Sequence, residues 1–351
     1  MSAGLSAAAS VRRVISRAPL FLRYLFIIAL ALGIFALILV AAGKDPFKAY
    51  ADTFAYTFGN VYGFSELIVR MIPLLLTAVA VAFPARIGMI NVGGEGQLYM
   101  GAWLASGGAL ALSGFPAWAL LPLMTLLGFI GGAVWAAIPG ILRAKKVVNE
   151  TIATLLLNYV APMIISYFVF GPWRGVESSS YPQSPAFSDG ARLPSFFNTR
   201  IHVGLLFALV SLLAYWAIVE KTRWGVQMRA IGGNPEAAER LGIPLVLYMV
   251  IVMAIGGGVA GLAGMGEVSA IQGRLRQGLS PGYGFTGFLI AWLAGGNPLG
   301  ILLMTFLFAV ITSVGDILQI TQGLPYSVVN ILMAVILFVV LGRRSVRRAS
   351  R

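Results

Sequence analysis

The chain has 351 residues, of which 59% are hydrophobic and only 11% are charged, and its mean hydropathy is +0.88. A soluble globular domain is about a quarter charged, so this composition excludes that class and indicates an integral membrane protein. The sequence contains no cysteine, which excludes disulfides, thiolate catalysis and cysteine-ligated metals.

Basic residues exceed acidic residues by 25 to 12, which gives a net charge of +13. In a soluble protein this excess would suggest a nucleic-acid partner. Here the basic side chains cluster beside apolar runs, where they are typical topology signals, so no nucleic-acid partner is predicted. The clusters near the two chain ends contain Arg12, Arg13, Arg17, Arg343, Arg344, Arg347, Arg348 and Arg351.

The apolar runs predict an all-α polytopic membrane protein with about ten transmembrane helices, some short or broken, in a lipid bilayer. A third span follows residue 97 and ends near Leu112. The other nine predicted spans are Tyr24 to Ala42, Leu67 to Phe83, Ala117 to Leu142, Glu150 to Phe170, Ile201 to Val219, Leu245 to Met265, Phe285 to Ala294, Leu299 to Val314 and Tyr326 to Leu341.

These spans form a single predicted transmembrane domain, residues 20–342, between a cytoplasmic arm (1–19) and a basic cytoplasmic tail (343–351). Both termini are predicted to be cytoplasmic, because 17 of the 25 lysines and arginines then lie inside. The predicted outer segments are residues 43–66, the long polar loop 171–200, an outer or re-entrant stretch at 267–284, and residues 316–325.

Residues 83–97 interrupt the second and third apolar runs with a proline, four glycines, Arg86 and Glu95. Unpaired backbone groups are costly in hydrocarbon, so such a stretch must be covered by protein, form a turn or face water. Two interpretations remain open at this point. The stretch is either a cytoplasmic turn between spans or a broken helix beside a transport path.

Two carboxylates near apolar runs have amides beside them. Glu95 lies between Asn91 and Gln97, and Glu150 follows Asn149 on a helix whose polar stripe includes Asn158. A charge at a helix centre costs about 2.5 to 3.5 kcal/mol, so these side chains should face the bundle interior or an interface. They could bind a neutral polar solute or join helices to one another.

A short helix is predicted at residues 235–242, where Asn234 is a plausible cap, Pro235 suits the first helical position, and Gly242 ends the helix. Taken alone, this pattern favours an ordinary capped helix in an inner loop. The sequence has no P-loop and no Ser/His/Asp constellation, and its single histidine, His202, has no zinc-like spacing. Neither an enzyme nor a metal site is predicted.

Four motifs occur in the order of a known family. They are Gly88-Met-Ile-Asn91-Val-Gly93-Gly94-Glu95-Gly96-Gln97, Asn149-Glu150-Thr-Ile-Ala-Thr154-Leu-Leu-Leu-Asn158-Tyr159, Gly233-Asn234-Pro-Glu-Ala237-Ala238-Glu-Arg-Leu-Gly242-Ile243 and Gly278-Leu-Ser280-Pro281-Gly282-Tyr283-Gly284-Phe285. With these motifs the chain resembles the permease subunits of ABC importers for nucleosides and simple sugars, relatives of the ribose and branched-chain amino acid permeases. The resemblance covers residues 44–342 and is strongest to the longer of two paired nucleoside permeases.

The resemblance implies partners: a cytoplasmic ABC ATPase that binds ATP-Mg, a second permease subunit that makes a heterodimer or a homodimer, and an extracytoplasmic substrate-binding protein or lipoprotein. No cofactor is implied in this chain itself, and the implied location is the bacterial cytoplasmic membrane. Loop 220–244 becomes a coupling loop in which the short helix docks on the ATPase. The implied coupling residues are Asn234, Glu236, Ala237, Ala238, Glu239 and Gly242.

The resemblance also implies that the broken helix at 83–97 lies on a solute path. The candidate path residues are Asn91, Glu95, Gln97, Asn149, Glu150 and Asn158. A nucleoside, a purine base or a sugar all remain possible solutes. A self-sufficient secondary transporter is the rival class, and it predicts uptake by this chain alone in response to an ion gradient.

Overall fold

A computed structural model of the protein describes residues 32–176 and 181–323, together with the single residues 327, 331 and 334. The chain forms two compact units. The smaller contains residues 32–60 and the described residues from Ile311 onward, and the larger contains Val61–Val310. The described residues are helical or irregular, with two isolated bridges, Gln183 to Arg276 and Ser195 to His202, in place of any strand.

The smaller unit begins with helices α1 (Leu32–Ala41) and α2 (Pro46–Phe58). The segment predicted as an outer loop, residues 43–66, is therefore helical over much of its length, and its outer location stays a prediction. Asp45 caps α2 by accepting hydrogen bonds from the next two free backbone N–H groups, and Pro46 occupies the first helical position. The buried residues of α2 recur at four-residue spacing and make one packed face; they are Ala49, Thr53 and Thr57.

The larger unit contains the remaining helices. They are α3 (Val61–Ala85), α4 (Gly94–Ala111), α5 (Ala117–Ala144), α6 (Glu150–Phe170), α7 (Gly204–Lys221), α8 (Arg223–Gly233), α9 (Pro235–Arg240), α10 (Leu245–Gly266), α11 (Tyr283–Ala294) and α12 (Pro298–Gln322), the last of which continues into the smaller unit. A π-helical turn, Glu267–Gln272, extends α10.

Each predicted span from the second to the ninth corresponds to one helix, so the all-helical class is confirmed. Six described helices are long and apolar enough to cross a bilayer: Val61–Ala85, Ala117–Ala144, Glu150–Phe170, Gly204–Lys221, Leu245–Gln272 and Pro298–Thr321. The total of ten spans and the side of each terminus stay predictions. Residues 1–19 and 343–351 lie outside the described residues, as does the tenth span apart from three single residues.

The ninth span is longer than predicted, because the stretch assigned to an outer loop at 316–325 remains helical to Gln322. Asp316 is the single charged residue in α12. One carboxylate in an otherwise uncharged helix does not end the helix. The Thr321 hydroxyl donates to the Ile317 carbonyl one turn back, 2.8 Å away. Gly323, with φ of +65°, follows the helix in the left-handed conformation that commonly ends one.

The core of the larger unit is α10, which packs against α3, α4 and α5. Glycines make this close packing possible. A Cβ on Gly132 of α5 would collide with the Gly257 carbonyl of α10, and one on Gly101 of α4 would collide with Gly261 of α10. Without a hydrophobic driving force between helices in a bilayer, such close approach is what holds spans together.

Candidate functional site

Residues 86–93, which we call the docked segment, connect α3 to α4 without forming a helix. Gly88 turns the chain with φ of +80°. Two backbone N–H groups then find partners on α6: Ile90 donates to the Glu150 carboxylate and Val92 donates to the Thr154 hydroxyl, each at 3.3 Å. Side chains of α6 thereby supply hydrogen-bond acceptors for irregular backbone between two spans.

The spacing of these contacts follows from backbone geometry. Two residues of extended chain advance about 6.6 Å, and four residues of α-helix advance about 6 Å. Ile90 and Val92 therefore align with Glu150 and Thr154. The polar stripe of α6 is a row of acceptors matched to alternate backbone N–H groups of the docked segment.

Asn158 completes the row one turn further along α6 and is 3% exposed. Its side-chain N–H donates to the Val92 carbonyl, and its side-chain oxygen accepts from the Gly96 N–H, both at 2.8 Å. The side-chain amide thus pairs with the backbone on both sides of the start of α4. A Cβ on Gly96 would lie 3.1 Å from the Asn158 oxygen, so glycine allows this approach.

Asn91 and Gln97 are almost fully buried and hydrogen-bond to each other. Each side-chain N–H₂ donates to the oxygen of the other, at 3.1 and 2.9 Å. The Asn91 oxygen also accepts from the Gly93 N–H at 2.9 Å, which stabilises the turn into α4. This amide pair joins the docked segment to the first turn of α4.

Glu95 is 6% exposed and lies against the amino terminus of α11. Its carboxylate accepts the Gly284 N–H at 2.7 Å, and Ser280 accepts the N–H groups of Gly282 and Tyr283. A helix amino terminus has unpaired donors and partial positive charge, so a carboxylate there is stabilised. Glu95 therefore joins α4 to α11 as a cap supplied from a different helix.

Glu150 and Asn149 lie at the beginning of α6. The Asn149 oxygen accepts the Thr151 N–H at 2.8 Å and caps the helix, while its side chain is exposed. The second Glu150 oxygen lies 3.1 Å from Nε of Arg143, which is 45% exposed. The structure thus brings Asn91, Gln97, Glu150 and Asn158 together around the docked segment and places Glu95 at α11 and Asn149 at the surface.

Sequence reasoning missed several partners of these residues. Thr154, Ser280 and Gly284 appear in the sequence analysis only within motifs and are not among the predicted site residues. Ser280 lies three residues before the first residue of α11, where a serine commonly accepts backbone N–H groups at a helix start, and this signal could have identified it. The partner of Glu95, in contrast, is 189 residues away and has no local signature.

The predicted inner loop contains two helices where one was expected. α8 was missed, although Thr222 caps it by accepting the Gly225 N–H at 3.3 Å. α9 has the predicted cap, since the Asn234 oxygen accepts the Ala237 N–H at 3.0 Å, and Gly242 follows the helix with φ of +79°.

Most of the surface of α9 is exposed. Glu236, Ala237 and Glu239 face outward, whereas Ala238 is 1% exposed and anchors the helix. Leu241, just beyond the helix, is a large apolar side chain that is 78% exposed.

His202 has a packing role at the start of α7. Its Nδ1 accepts the Gly204 N–H at 3.1 Å, and the side chain is 2% exposed. Burial, together with the nearby Arg200 charge, lowers the pKa of His202 to about 4. The imidazole is therefore neutral at pH 7 and caps a turn.

Residues 63–341 match a protein family described as the permease component of the branched-chain amino acid transport system. The chain belongs to this family. The match covers most of the sequence and includes both the docked segment and α9, so the predicted resemblance to transport permeases is confirmed.

Three curated proteins similar to this permease are named as ABC transporter permeases. The glucose ABC transporter permease protein of Haloferax volcanii is 38% identical over 322 residues, 88% of this chain and 84% of that protein. The guanosine ABC transporter permease protein of Bacillus subtilis is 31% identical, over 92% and 93% of the two chains. The nucleoside ABC transporter permease protein of Lactococcus lactis is 30% identical, over 86% and 85%. The permease is thus an ABC importer subunit with several membrane-crossing helices.

Proposed function

We propose that this permease forms the translocation path for a nucleoside or a related small polar solute, and that a simple sugar such as glucose is the alternative. The observation that carries the proposal is similarity over most of both chains to guanosine, nucleoside and glucose permeases. A nucleoside contains a sugar ring, so the two candidates share hydroxyl groups that a neutral, hydrogen-bonding path would accept.

We place the docked segment and the first turn of α4 in the wall of that path. Asn91, Gln97, Glu150 and Asn158 then hold the wall in its irregular shape, Glu95 ties it to α11, and Asn149 fixes the end of α6. Irregular backbone at membrane depth persists where it is buried in protein or lines a wet cavity, which supports this placement.

The energy source in this proposal is a separate cytoplasmic ABC ATPase that binds ATP-Mg. α9 would dock on it through exposed residues, with Ala238 anchoring the helix and Asn234 and Gly242 defining its ends. A second permease and an extracytoplasmic binding protein or lipoprotein complete the importer in the bacterial cytoplasmic membrane. The support is the family match together with the capped, exposed form of α9.

The test is uptake by proteoliposomes that contain the complete importer with ATP inside. Labelled guanosine is expected to accumulate, and excess unlabelled nucleosides should compete with it more strongly than glucose does. Competition by glucose alone would favour the sugar alternative. Proteoliposomes with this chain alone and an imposed proton or sodium gradient are the control, and accumulation there would instead favour a secondary transporter.

A further inference from the structure

Arg86, Tyr215 and Gly296 form a closed ring of three hydrogen bonds, which we call the Arg86 clasp. Nε of Arg86 donates to the Tyr215 hydroxyl at 2.8 Å, and Nη2 of Arg86 donates to the Gly296 carbonyl at 2.7 Å. The Tyr215 hydroxyl donates to the same carbonyl at 2.7 Å. The clasp joins the docked segment, α7 and the turn between α11 and α12.

The surroundings of the clasp hold its geometry. Tyr215 is fully buried, and its ring packs against the Phe83 ring in a T-shaped pair with 5.0 Å between centroids. Gly296 has φ of +71°, and a Cβ there would lie 3.3 Å from the Tyr215 hydroxyl. The guanidinium carbon of Arg86 is 5.6 Å from the Tyr215 ring centroid, which adds a cation–π contact.

Glu220 of α7 connects the clasp to α8, the helix that leads into α9. Nη2 of Arg86 is 3.7 Å from the Glu220 carboxylate, and Nη1 of Arg229 in α8 is 3.9 Å from the other oxygen of that carboxylate. Arg229 donates to the Val219 carbonyl near the end of α7 at 2.6 Å. Glu220 therefore links the clasp arginine to an arginine of α8.

A backbone contact also joins α8 to the docked segment. Gly232, at the end of α8, lies so close to the docked segment that a Cβ there would be 2.5 Å from the Arg86 carbonyl oxygen. α9 begins three residues later. On the other side, Gly88 turns the chain, and Ile90 and Val92 dock on α6. A short series of contacts therefore runs from α9 through α8 and Arg86 to the docked segment.

We propose that Arg86 is a positioning residue through which displacement of α8 and α9 reaches the docked segment and reorients the path. The proposal rests on the proposed function, since it assigns the internal route by which ATPase movement acts on that site. Arg86 suits this role because its planar fork bonds two groups at once, on α7 and on the α11–α12 turn, while its backbone contacts α8. A purely structural clasp would stabilise the bundle without linking ATP to the docked segment.

The first experiment measures solute uptake and ATP hydrolysis together in proteoliposomes of the complete importer. Tyr215→Phe removes the hydroxyl and keeps the ring, and Arg86→Gln removes the charge and the fork. Both variants are expected to lower uptake per ATP hydrolysed by about tenfold, within the range typical of coupling between sites. Tyr50→Phe is the matched control, because its hydroxyl also donates to a carbonyl, that of Leu32, at 2.7 Å, within the smaller unit.

A second experiment needs no knowledge of the solute. The chain has no cysteine, and the Ile90 side chain is 37% exposed, so Ile90→Cys introduces a unique thiol on the docked segment. ATP with vanadate is expected to change its labelling rate by about fivefold or more in the complete importer. Adding Arg86→Gln should abolish that change, whereas adding Tyr50→Phe should preserve it.

The outcomes separate the two proposals. An unchanged ratio of uptake to ATP hydrolysis in Arg86→Gln and Tyr215→Phe, including a parallel loss of both activities, overturns the role of Arg86. An ATP-dependent labelling change that survives Arg86→Gln also overturns it. Failure of the unmodified importer to take up guanosine or glucose overturns the proposed function instead, and the labelling experiment still decides the role of Arg86.

Discussion

At the scale of single residues, the polar side chains between the spans are matched to backbone groups. Asn158 bonds the backbone on both sides of the start of α4, and Thr154 and Glu150 accept the N–H groups of Val92 and Ile90. A buried polar group left without its partner costs about 1–3 kcal/mol, so these side chains are constrained by the segment they hold.

Asn158→Leu leaves the Val92 carbonyl and the Gly96 N–H without their partner, so the docked segment should lose its fixed shape. We expect guanosine uptake by the importer to fall by about tenfold or more, because both hydrogen bonds of the side-chain amide are lost. The measurement is initial uptake rate per inserted permease. Tyr159→Phe is the control, since Tyr159 is the next residue and is 62% exposed. Wild-type uptake by Asn158→Leu would show that the docked segment does not depend on this amide.

His202 provides a prediction about pH. Its folded-state pKa of about 4 lies below the ordinary value of 6.5, so the unfolded chain binds the additional proton between these values. This contribution to stability is present above pH 6.5 and is lost as pH falls toward 4. At pH 5 the loss amounts to at most about 2 kcal/mol.

Thermal unfolding of the detergent-purified protein at pH 7 and pH 5 measures this effect. His202→Asn keeps a side-chain acceptor near the Gly204 N–H and removes the titrating ring, so its unfolding temperature should fall less over this interval. An identical fall in both proteins would mean that other groups account for the acid sensitivity.

At the scale of helices, local capping signals determined where α2, α6, α8 and α9 begin. Asp45, Asn149, Thr222 and Asn234 each accept a backbone N–H within the first turn of the helix that follows. α11 differs, because part of its cap comes from Glu95 on another helix. α9 combines a local cap with an exposed surface, and the proposed docking on an ATPase uses both features.

If α9 docks on an ATPase as proposed, changes to its exposed side chains should weaken the binding of that ATPase to the permease. Ala237→Trp and Leu241→Glu alter exposed side chains and leave the buried Ala238 in place. We expect ATPase recovered per permease on affinity purification to fall by about tenfold, as when a central interface contact is lost. Val147→Glu, at a 64% exposed site in the α5–α6 turn, is the matched control. Normal ATPase recovery with both α9 variants would contradict docking through this helix.

At the scale of the whole molecule, the larger unit is a bundle organised around α10, whose glycines admit α4 and α5 at close range. Its connecting turns alternate between the two ends of the bundle. The clasp, α8 and α9 are connected at the end that the charge distribution predicts to be cytoplasmic. The proposed action of an ATPase on the docked segment requires this common location.

The predicted sidedness can be tested with single cysteines in this cysteine-free chain. Phe115→Cys lies in the α4–α5 turn, and Val147→Cys lies in the α5–α6 turn, with 51% and 64% of the native side chains exposed. In intact cells a membrane-impermeant maleimide should label the first and not the second, and in inverted vesicles the pattern should reverse. Labelling of Val147→Cys from outside would invert the topology and place α9 away from any cytoplasmic ATPase.

The sequence by itself determined the helical membrane class, the approximate position of eight spans and the capped form of α9, because hydropathy and capping depend on neighbouring residues. It left undecided whether Glu95, Asn91 and Asn158 bind a solute or other parts of the chain. Only the tertiary structure identified their partners. Gly96 and Asn158 are 62 residues apart, Arg86 and Gly296 are 210 apart, and contacts at such separations depend on how spans pack rather than on any local pattern.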